Sequence, residues 1–173
     1  MNTRNHLRSL VAGLGLAAST TLLISCGGSP GLPSALSSAP VKSASGFANQ
    51  VASATQSYRT SKGRSALSRN STLDGLATQH AQTMARTGQV NHAGWAKRTG
   101  AAGSAGIGSA NENVWRGLNQ DTSQLTSGAM NYWSNSTIHN TNLLDRNTTD
   151  YGVGAAKGAD GYYNVVFISG AKR

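Results

Sequence analysis

The chain has 173 residues, enough for one domain with a terminal segment, and 12% of them are charged against 38% that are hydrophobic. Its formal charge is +9, but the positive residues are scattered, which argues against specific nucleic-acid recognition, since that needs clustered basic and aromatic residues. The excess charge favours either general attraction to anionic polymers or lipid headgroups, or simple solubility. The single cysteine, Cys26, excludes an intramolecular disulfide.

Residues 1–25 have the pattern of a secretory signal peptide. Arg4 and Arg8 precede an apolar run over 10–24, which is shorter than the ~20 residues that span a bilayer. The run ends in Leu-Ile-Ser-Cys26-Gly, which resembles a bacterial lipobox, whose cysteine becomes the lipidated first residue of the mature protein. An ordinary signal peptide with an incidental cysteine is the alternative. We therefore predict a lipid anchor at Cys26 in the cell envelope, on the outer membrane facing the periplasm or the surface if the cell has two membranes.

A flexible tether is predicted after the anchor, because residues 26–46 hold all three prolines among Gly and Ser. Removal of residues 1–25 takes away Arg4 and Arg8 and leaves 13 basic residues against six acidic ones, a mature charge of +7. The domain is then expected over residues 47–173.

The domain opens with two predicted helices. Apolar and small residues recur at helical spacing from Phe47 to Tyr58, and Lys62-Gly63 ends that pattern. A second helix is expected from a cap at Ser71 or Thr72 to a stop at Gly88. His80 lies on its apolar stripe, which favours a hydrogen-bonded core histidine over a site residue.

Two residues of possible chemical interest follow the second helix. His92 lies at the helix exit, before a stretch over 100–110 rich in Gly, Ala and Ser that indicates a loop. Packing periodicity does not account for a histidine there, so a site residue and a surface histidine are both open. Glu112 is the only glutamate, and the alternation at Val114 and Arg116 predicts a short strand.

The last third of the chain predicts two more helices and a hairpin. Asp121-Thr122 can cap a third helix, and Ser136-Thr137 a short fourth helix that carries His139. The apolar positions of these two helices are Leu125, Ala129, Tyr132, Trp133, Leu143 and Leu144. Alternating runs over 151–155 and 162–169, joined by a turn over 157–161, predict a β-hairpin. Helices first and a hairpin last predict an α+β fold, an antiparallel sheet covered by helices.

Four motifs in order carry a resemblance to a known family: Asn-His92-Ala-Gly, Asn-Glu112-Asn, Trp133-Ser-Asn-Ser-Thr-Ile-His139-Asn-Thr-Asn-Leu-Leu, and Tyr151-Gly-Val-Gly. Together they resemble the bacterial branch of the CAP superfamily, also called SCP-like, which includes cysteine-rich secretory proteins, antigen 5 and plant pathogenesis-related proteins. The likeness spans about residues 48–169. It implies a three-layer α-β-α sandwich with a cleft lined by His92, Glu112 and His139. Animal members often carry a second glutamate where this chain has Ser136, so the resemblance also places Ser136 in the cleft, and the missing acid weakens any mechanism that needs two carboxylates.

Two neutral imidazoles and a carboxylate can coordinate zinc or another divalent cation, leaving a position for an activated water. The spacings of 20 and 27 residues match no short zinc signature such as His-Glu-x-x-His. Without a metal, Glu112 would accept a hydrogen bond from one histidine, in a cluster that binds an anion or holds loops together.

Three functional hypotheses are open at this point. The first is an envelope-anchored module that binds a ligand, such as an anionic envelope polymer, with or without a divalent metal. The second is a metal-assisted hydrolase of wall polymer, peptide or nucleic acid. The third is a lipid or sterol binder, which a membrane tether favours.

Overall fold

A five-stranded sheet lies between two layers of helices in the computed structural model, which describes residues 40–173. The strands are β1 (Lys42–Ser43), β2 (Ser68–Arg69), β3 (Ile107–Gly117), β4 (Asp150–Lys157) and β5 (Tyr163–Lys172). The helices are α1 (Ser45–Ser61), α2 (Ser71–Thr87), α3 (Trp95–Ser104), α4 (Thr122–Ser134) and α5 (Thr137–Leu143). The predicted signal peptide, Cys26 and residues 27–39 of the predicted tether lie outside the described residues.

The sheet is built on the predicted hairpin. Strands β4 and β5 pair antiparallel, β3 pairs antiparallel with β5, and the short β1 and β2 pair with β4. The order is β1-β4-β5-β3, and β2 runs parallel to the start of β4. Strand β3 therefore forms one edge of the sheet. Over residues 40–173, no helix combines the length and apolar character needed to cross a bilayer.

Alternate residues of the strands pack against the two helix layers, as expected for a sheet buried on both faces. One core joins the sheet to α2 and α3: Leu73, Ala77, Ala81, Met84, Ala85, Ala102, Ile107, Val114, Ala156, Val166 and Ile168. The other joins it to α1, α4 and α5: Phe47, Ala48, Val51, Ala52, Leu67, Leu125, Ala129, Trp133, Leu143, Tyr151, Val153, Ala155, Val165 and Phe167. The predicted α+β fold and three-layer sandwich are confirmed.

Glycines on β4 allow α2 to pack directly on the strand. A Cβ atom added at Gly152 would lie 2.2 Å from the backbone nitrogen of Asp74. One added at Gly154 would lie 2.0 Å from the backbone nitrogen of Thr78. The helix backbone thus occupies the space of a side chain, which gives the Tyr151-Gly-Val-Gly motif a packing role.

Several local predictions need correction. Asn70 caps α2 instead of Ser71 or Thr72, because its side-chain oxygen accepts bonds from the backbone nitrogens of Thr72 and Leu73. Residues 100–110 are not a loop, since α3 and β3 occupy most of them. Helix α3 starts after Gly94 without a side-chain cap, so the usual start signal is missing from its sequence.

The remaining differences are at the start of the domain and on α4. Strand β1 and the first residues of α1 precede Phe47, so part of the segment predicted as tether is in the fold. Tyr132 was expected on the apolar face of α4, but it is 54% exposed. The buried face runs through Leu125, Ala129 and Trp133, and its four-residue spacing leaves Tyr132 to one side.

Candidate functional site

An open cavity of about 560 Å³ lies at the β3 edge of the sheet. We call it the cleft. The loop after α2 lines one side, β3 the base, and α4 and α5 the other side; the residues are Val90, Asn91, His92, Val114, Trp115, Arg116, Tyr132 and His139. The two histidines predicted for one site therefore face the same cavity from opposite helix layers.

His92 is fixed to a buried carboxylate. Its Nδ1 lies 2.8 Å from Oε1 of Glu112, whose side chain is only 1% exposed, whereas that of His92 is 49% exposed. A carboxylate accepts hydrogen bonds, so Nδ1 carries the hydrogen and Nε2 is left for a ligand. The structure thus joins two of the three predicted site residues directly.

Arg98 on α3 completes the environment of Glu112. Its Nε donates to Oε2 and its Nη2 donates to Oε1, each at a distance of 2.7 Å, and its Nη1 donates to the carbonyl of Ala93. This is a forked, largely buried ion pair, which holds the guanidinium in one geometry. Sequence reasoning missed Arg98, because residues near it were assigned to a loop; the adjacent Lys97-Arg98 pair was the available signal.

His80 is the hydrogen-bonded core histidine that its position on α2 predicts. It is 3% exposed, and its Nε2 donates to the carbonyl of Asn91 at a distance of 2.7 Å, which fixes the loop that carries His92. Burial lowers the pKa of His80, an effect that outweighs the opposing influence of the Asn91 carbonyl and of Glu112, while Arg98 and His92 lower it further. The 4.0 Å approach of His80 to Glu112 is therefore not an ion pair at neutral pH.

A histidine with a lower pKa in the folded state makes stability depend on pH. The unfolded chain binds more protons as the pH falls below the unfolded pKa of ~6.5, so stability should decrease until the folded pKa is passed. We expect a lower urea midpoint at about pH 5 than at about pH 7.5, and a smaller difference in His80→Gln. A midpoint that rises on acidification would contradict the buried, neutral assignment.

His139 faces the cleft from the first turns of α5. Its Nδ1 lies 2.8 Å from Oγ of Ser136, which precedes the helix but makes no capping bond to its backbone. Its ring also lies 5.3 Å from that of Tyr132. Burial lowers the pKa of His139, and the charge of His92 lowers it further, so the imidazole is neutral near pH 7. Ser136, also a predicted site residue, thus orients His139.

Side chains of α4 and α5 hold the β3 edge against the cleft. Nε1 of Trp133 donates to the carbonyl of Val114 over 3.1 Å, and Nδ2 of Asn142 approaches the carbonyl of Glu112 at 3.4 Å. From the strand side, Nδ2 of Asn113 donates to the carbonyl of His139. These bonds fix α5, and with it His139, relative to Glu112.

The predicted metal set of His92, Glu112 and His139 does not fit a cation in this arrangement. Within residues 40–173 there is no group of three or more His, Cys, Asp or Glu side chains placed to hold one ion. Both oxygens of Glu112 are engaged by Arg98, whose positive charge would oppose a cation there. Glu112 also lies beneath His92 and outside the cleft lining.

Comparisons with known proteins agree with the motifs. Residues 52–169 match the sequence profile described as CAP: Cysteine-rich secretory protein family. No curated protein matches the chain with significant similarity.

Solved structures share the fold. An outer surface protein from Borrelia burgdorferi superposes with a TM-score of 0.67 at 16% identity, covering 78% of this chain and 99% of that one. A cysteine-rich secretory protein from Staphylococcus aureus gives 0.54 at 20% identity, covering 72% of this chain and 39% of that one. An extracellular protein with an SCP domain from Bacillus anthracis gives 0.56 at 23% identity, covering 72% and 40% respectively. The last two are thus much longer proteins, of which this chain matches one part.

Proposed function

The chain belongs to the cysteine-rich secretory protein (CAP) family, and from that premise we propose that it is an envelope module that binds a ligand in the cleft between His92 and His139. One observation carries the proposal. Two imidazoles from opposite helix layers open into one cavity, and each is held from behind, His92 by Glu112 and His139 by Ser136. Groups fixed before binding lose little freedom when a ligand arrives.

The chemistry of the cleft suits a polar ligand of low charge. The Arg98 charge is matched by Glu112, and the Arg116 guanidinium pairs with Asp160 and lies over the Tyr162 ring. His139 is neutral, so it offers a hydrogen bond without a charge. Trp115 and Tyr132 add aromatic surface, which favours a glycan or peptide segment of a wall polymer.

Binding should depend on Tyr132. We expect soluble glycan-peptide fragments of wall polymer to shift the His92 and His139 ring resonances saturably in NMR titrations of the full chain. Tyr132→Ala should weaken binding about fivefold, the equivalent of ~1 kcal/mol for one aromatic contact. Ile138→Ala is the matched control, because Ile138 is 75% exposed and does not line the cleft. Absence of saturable shifts, or equal binding by Tyr132→Ala, would contradict the proposal.

The same protein can test for zinc by calorimetry. Because Arg98 binds both carboxylate oxygens of Glu112, we expect no saturable zinc binding at micromolar concentrations. Saturable binding that is lost in both His92→Ala and His139→Ala would instead establish a two-histidine metal site and overturn the metal-free form of the proposal.

A hydrolase is the second candidate, favoured by the His92–Glu112 contact. A carboxylate behind an imidazole fixes the orientation and the tautomer of the ring, as a general base requires. Cleavage of the same fragments, detected by mass spectrometry and lost in His92→Ala, would support catalysis. Binding without cleavage would leave the module as a binder.

A lipid or sterol ligand has less support. The groove of about 510 Å³ between α1 and α4 is shallow and widely open to solvent, and it is lined by Asn49, Gln50, Ser53, Ser123, Thr126 and Ser127. A sterol would require a pocket that encloses most of its surface.

The proposed location is the cell envelope, through a lipid on Cys26. The Borrelia and Bacillus structures are named as outer surface and extracellular proteins, and this chain carries the lipobox-like end of an apolar leader. Incorporation of labelled palmitate into the full chain but not into Cys26→Ala tests the anchor, and equal labelling would exclude Cys26 as its site.

A further inference from the structure

A second cavity, of about 360 Å³, lies at the other end of α5 from the cleft. Three arginines line it, Arg59 near the end of α1, Arg64 after it, and Arg146 between α5 and β4, together with Gly63, Ser65 and Thr148. We call it the arginine pocket. Arg59 and Arg146 are separated by most of the domain sequence, so folding alone brings these charges together.

Backbone carbonyls fix two of these guanidinium groups. Nε of Arg59 donates to the carbonyl of Ser65, and its Nη1 donates to those of Leu143 and Asp145 at 2.6 and 3.2 Å. Nε of Arg64 donates to the carbonyl of Leu144 over 2.9 Å. Both arginines thereby satisfy carbonyls at the end of α5, which is their structural role. A neutral carbonyl orients a guanidinium but leaves its unit charge in place.

Carboxylates do not neutralise the three charges. Across residues 40–173, no carboxylate oxygen lies within 4.0 Å of a nitrogen of Arg59, Arg64 or Arg146 in an ion pair. Asp145 is the nearby acid, but its Oδ2 accepts from Asn111 and its Oδ1 from the backbone of Asn147.

The electrostatic environment of Arg59 agrees with an uncompensated cluster. Burial lowers the pKa of Arg59, Asp145 partly opposes this effect, and repulsion from Arg64 lowers the pKa further. One carboxylate against three guanidinium groups leaves an excess of positive charge around a concave surface.

We propose that the arginine pocket binds a phosphate group, carried by a soluble or polymeric phosphate ester or by a lipid headgroup. The two terminal nitrogens of the Arg64 or Arg146 guanidinium match two oxygens of a phosphate, and arginine remains charged at all physiological pH values. Arg59, whose Nε and Nη1 already donate to carbonyls, contributes its charge and Nη2. Arg59 and Arg64 are oriented in advance by the α5 carbonyls, and the exposed Arg146 closes on the anion from the other side. This site is separate from the cleft and uses none of its residues.

Arg146→Gln tests the pocket with little risk to folding, because Arg146 is exposed and the buried Arg59 is untouched. Calorimetric titration of the full chain with inorganic phosphate and pyrophosphate at low salt should give saturable binding that Arg146→Gln weakens about tenfold, as for loss of one charge-assisted contact. Arg86→Gln, which removes the same charge from the exposed end of α2, should bind like the wild type.

Binding to vesicles that contain phosphatidylglycerol distinguishes a lipid headgroup from a soluble or polymeric phosphate ester. Vesicle binding reduced by Arg146→Gln and not by Arg86→Gln would assign the headgroup, whereas phosphate binding without vesicle binding would assign a soluble or polymeric ester. The proposal is overturned if neither phosphate nor pyrophosphate binds saturably at concentrations up to about 10 mM. That limit is well above the dissociation constant expected for an anion held by several ion pairs. Equal weakening in both variants would also overturn it, since general charge attraction predicts that result.

Discussion

Gly154→Ala is expected to destabilise the domain by at least ~3 kcal/mol or to prevent its folding, because overpacking against an immovable backbone exceeds the usual 1–3 kcal/mol cost. The added Cβ would lie 2.0 Å from the Thr78 nitrogen, 2.3 Å from its Cα and 2.4 Å from the Ala77 carbonyl carbon. No side-chain rotation relieves such contacts, so α2 would have to move away from β4. Equilibrium urea unfolding, with the yield of soluble protein, measures the effect.

Gly75→Ala is the matched control. Gly75 lies inside α2, and a Cβ there would meet no atom within 4 Å. Because alanine favours the helix over glycine, this variant should gain up to about 1 kcal/mol. The same substitution should therefore have opposite signs at a strand glycine covered by α2 and at an exposed glycine of α2 itself. Similar effects at both positions would contradict the close packing of α2 on β4.

Glu112→Gln is expected to cost about 3 to 5 kcal/mol in unfolding free energy, the usual effect of removing one partner from a buried ion pair. The substitution leaves the Arg98 guanidinium, whose side chain is 11% exposed, without its carboxylate. It also removes the charge behind His92. Urea unfolding at neutral pH measures the loss.

Two further variants isolate the buried ion pair. Arg69→Gln breaks the exposed contact with Asp74, in which the side chains are 42% and 28% exposed, and should cost at most about 1 kcal/mol. The double variant Arg98→Met with Glu112→Leu should be more stable than Glu112→Gln alone, because it removes both buried charges. If Glu112→Gln costs no more than Arg69→Gln, the pair is not the buried anchor of the site.

The resemblance of four short motifs to the CAP family, and not local periodicity, predicts His92, Glu112 and His139 together; the structure places the two histidines in the cleft and Glu112 beneath His92. His92, Glu112 and His139 each lie in a short polar motif at an identifiable point, after a helix, on a strand and in a helix, and the hairpin is marked by alternation and a turn. The prediction for Tyr132 is wrong because apolar character alone does not show whether a residue of α4 lies on the buried face or is rotated away from it around the helix axis. The positions of Trp133 and Ala129 define the buried face.

Other features depend on contacts that no local pattern contains. Arg98 is in a helix that begins at a left-handed glycine, Gly94, without a side-chain cap, and its partner is on another element. The arginine pocket combines side chains separated by about half the chain. Arg59 and Arg64 meet at the last carbonyls of α5, a contact that forms only after folding.

The hydrogen bonds that cover the edge of β3 also bear on self-association. An exposed strand edge presents carbonyl and amide groups in a row, which another chain can extend into an intermolecular sheet and eventually a fibril. Here Trp133 bonds to the Val114 carbonyl and Asn142 approaches that of Glu112, so acceptors needed by an incoming strand are already used. The side chains that fix α5 against β3 thereby also prevent another chain from pairing with this edge.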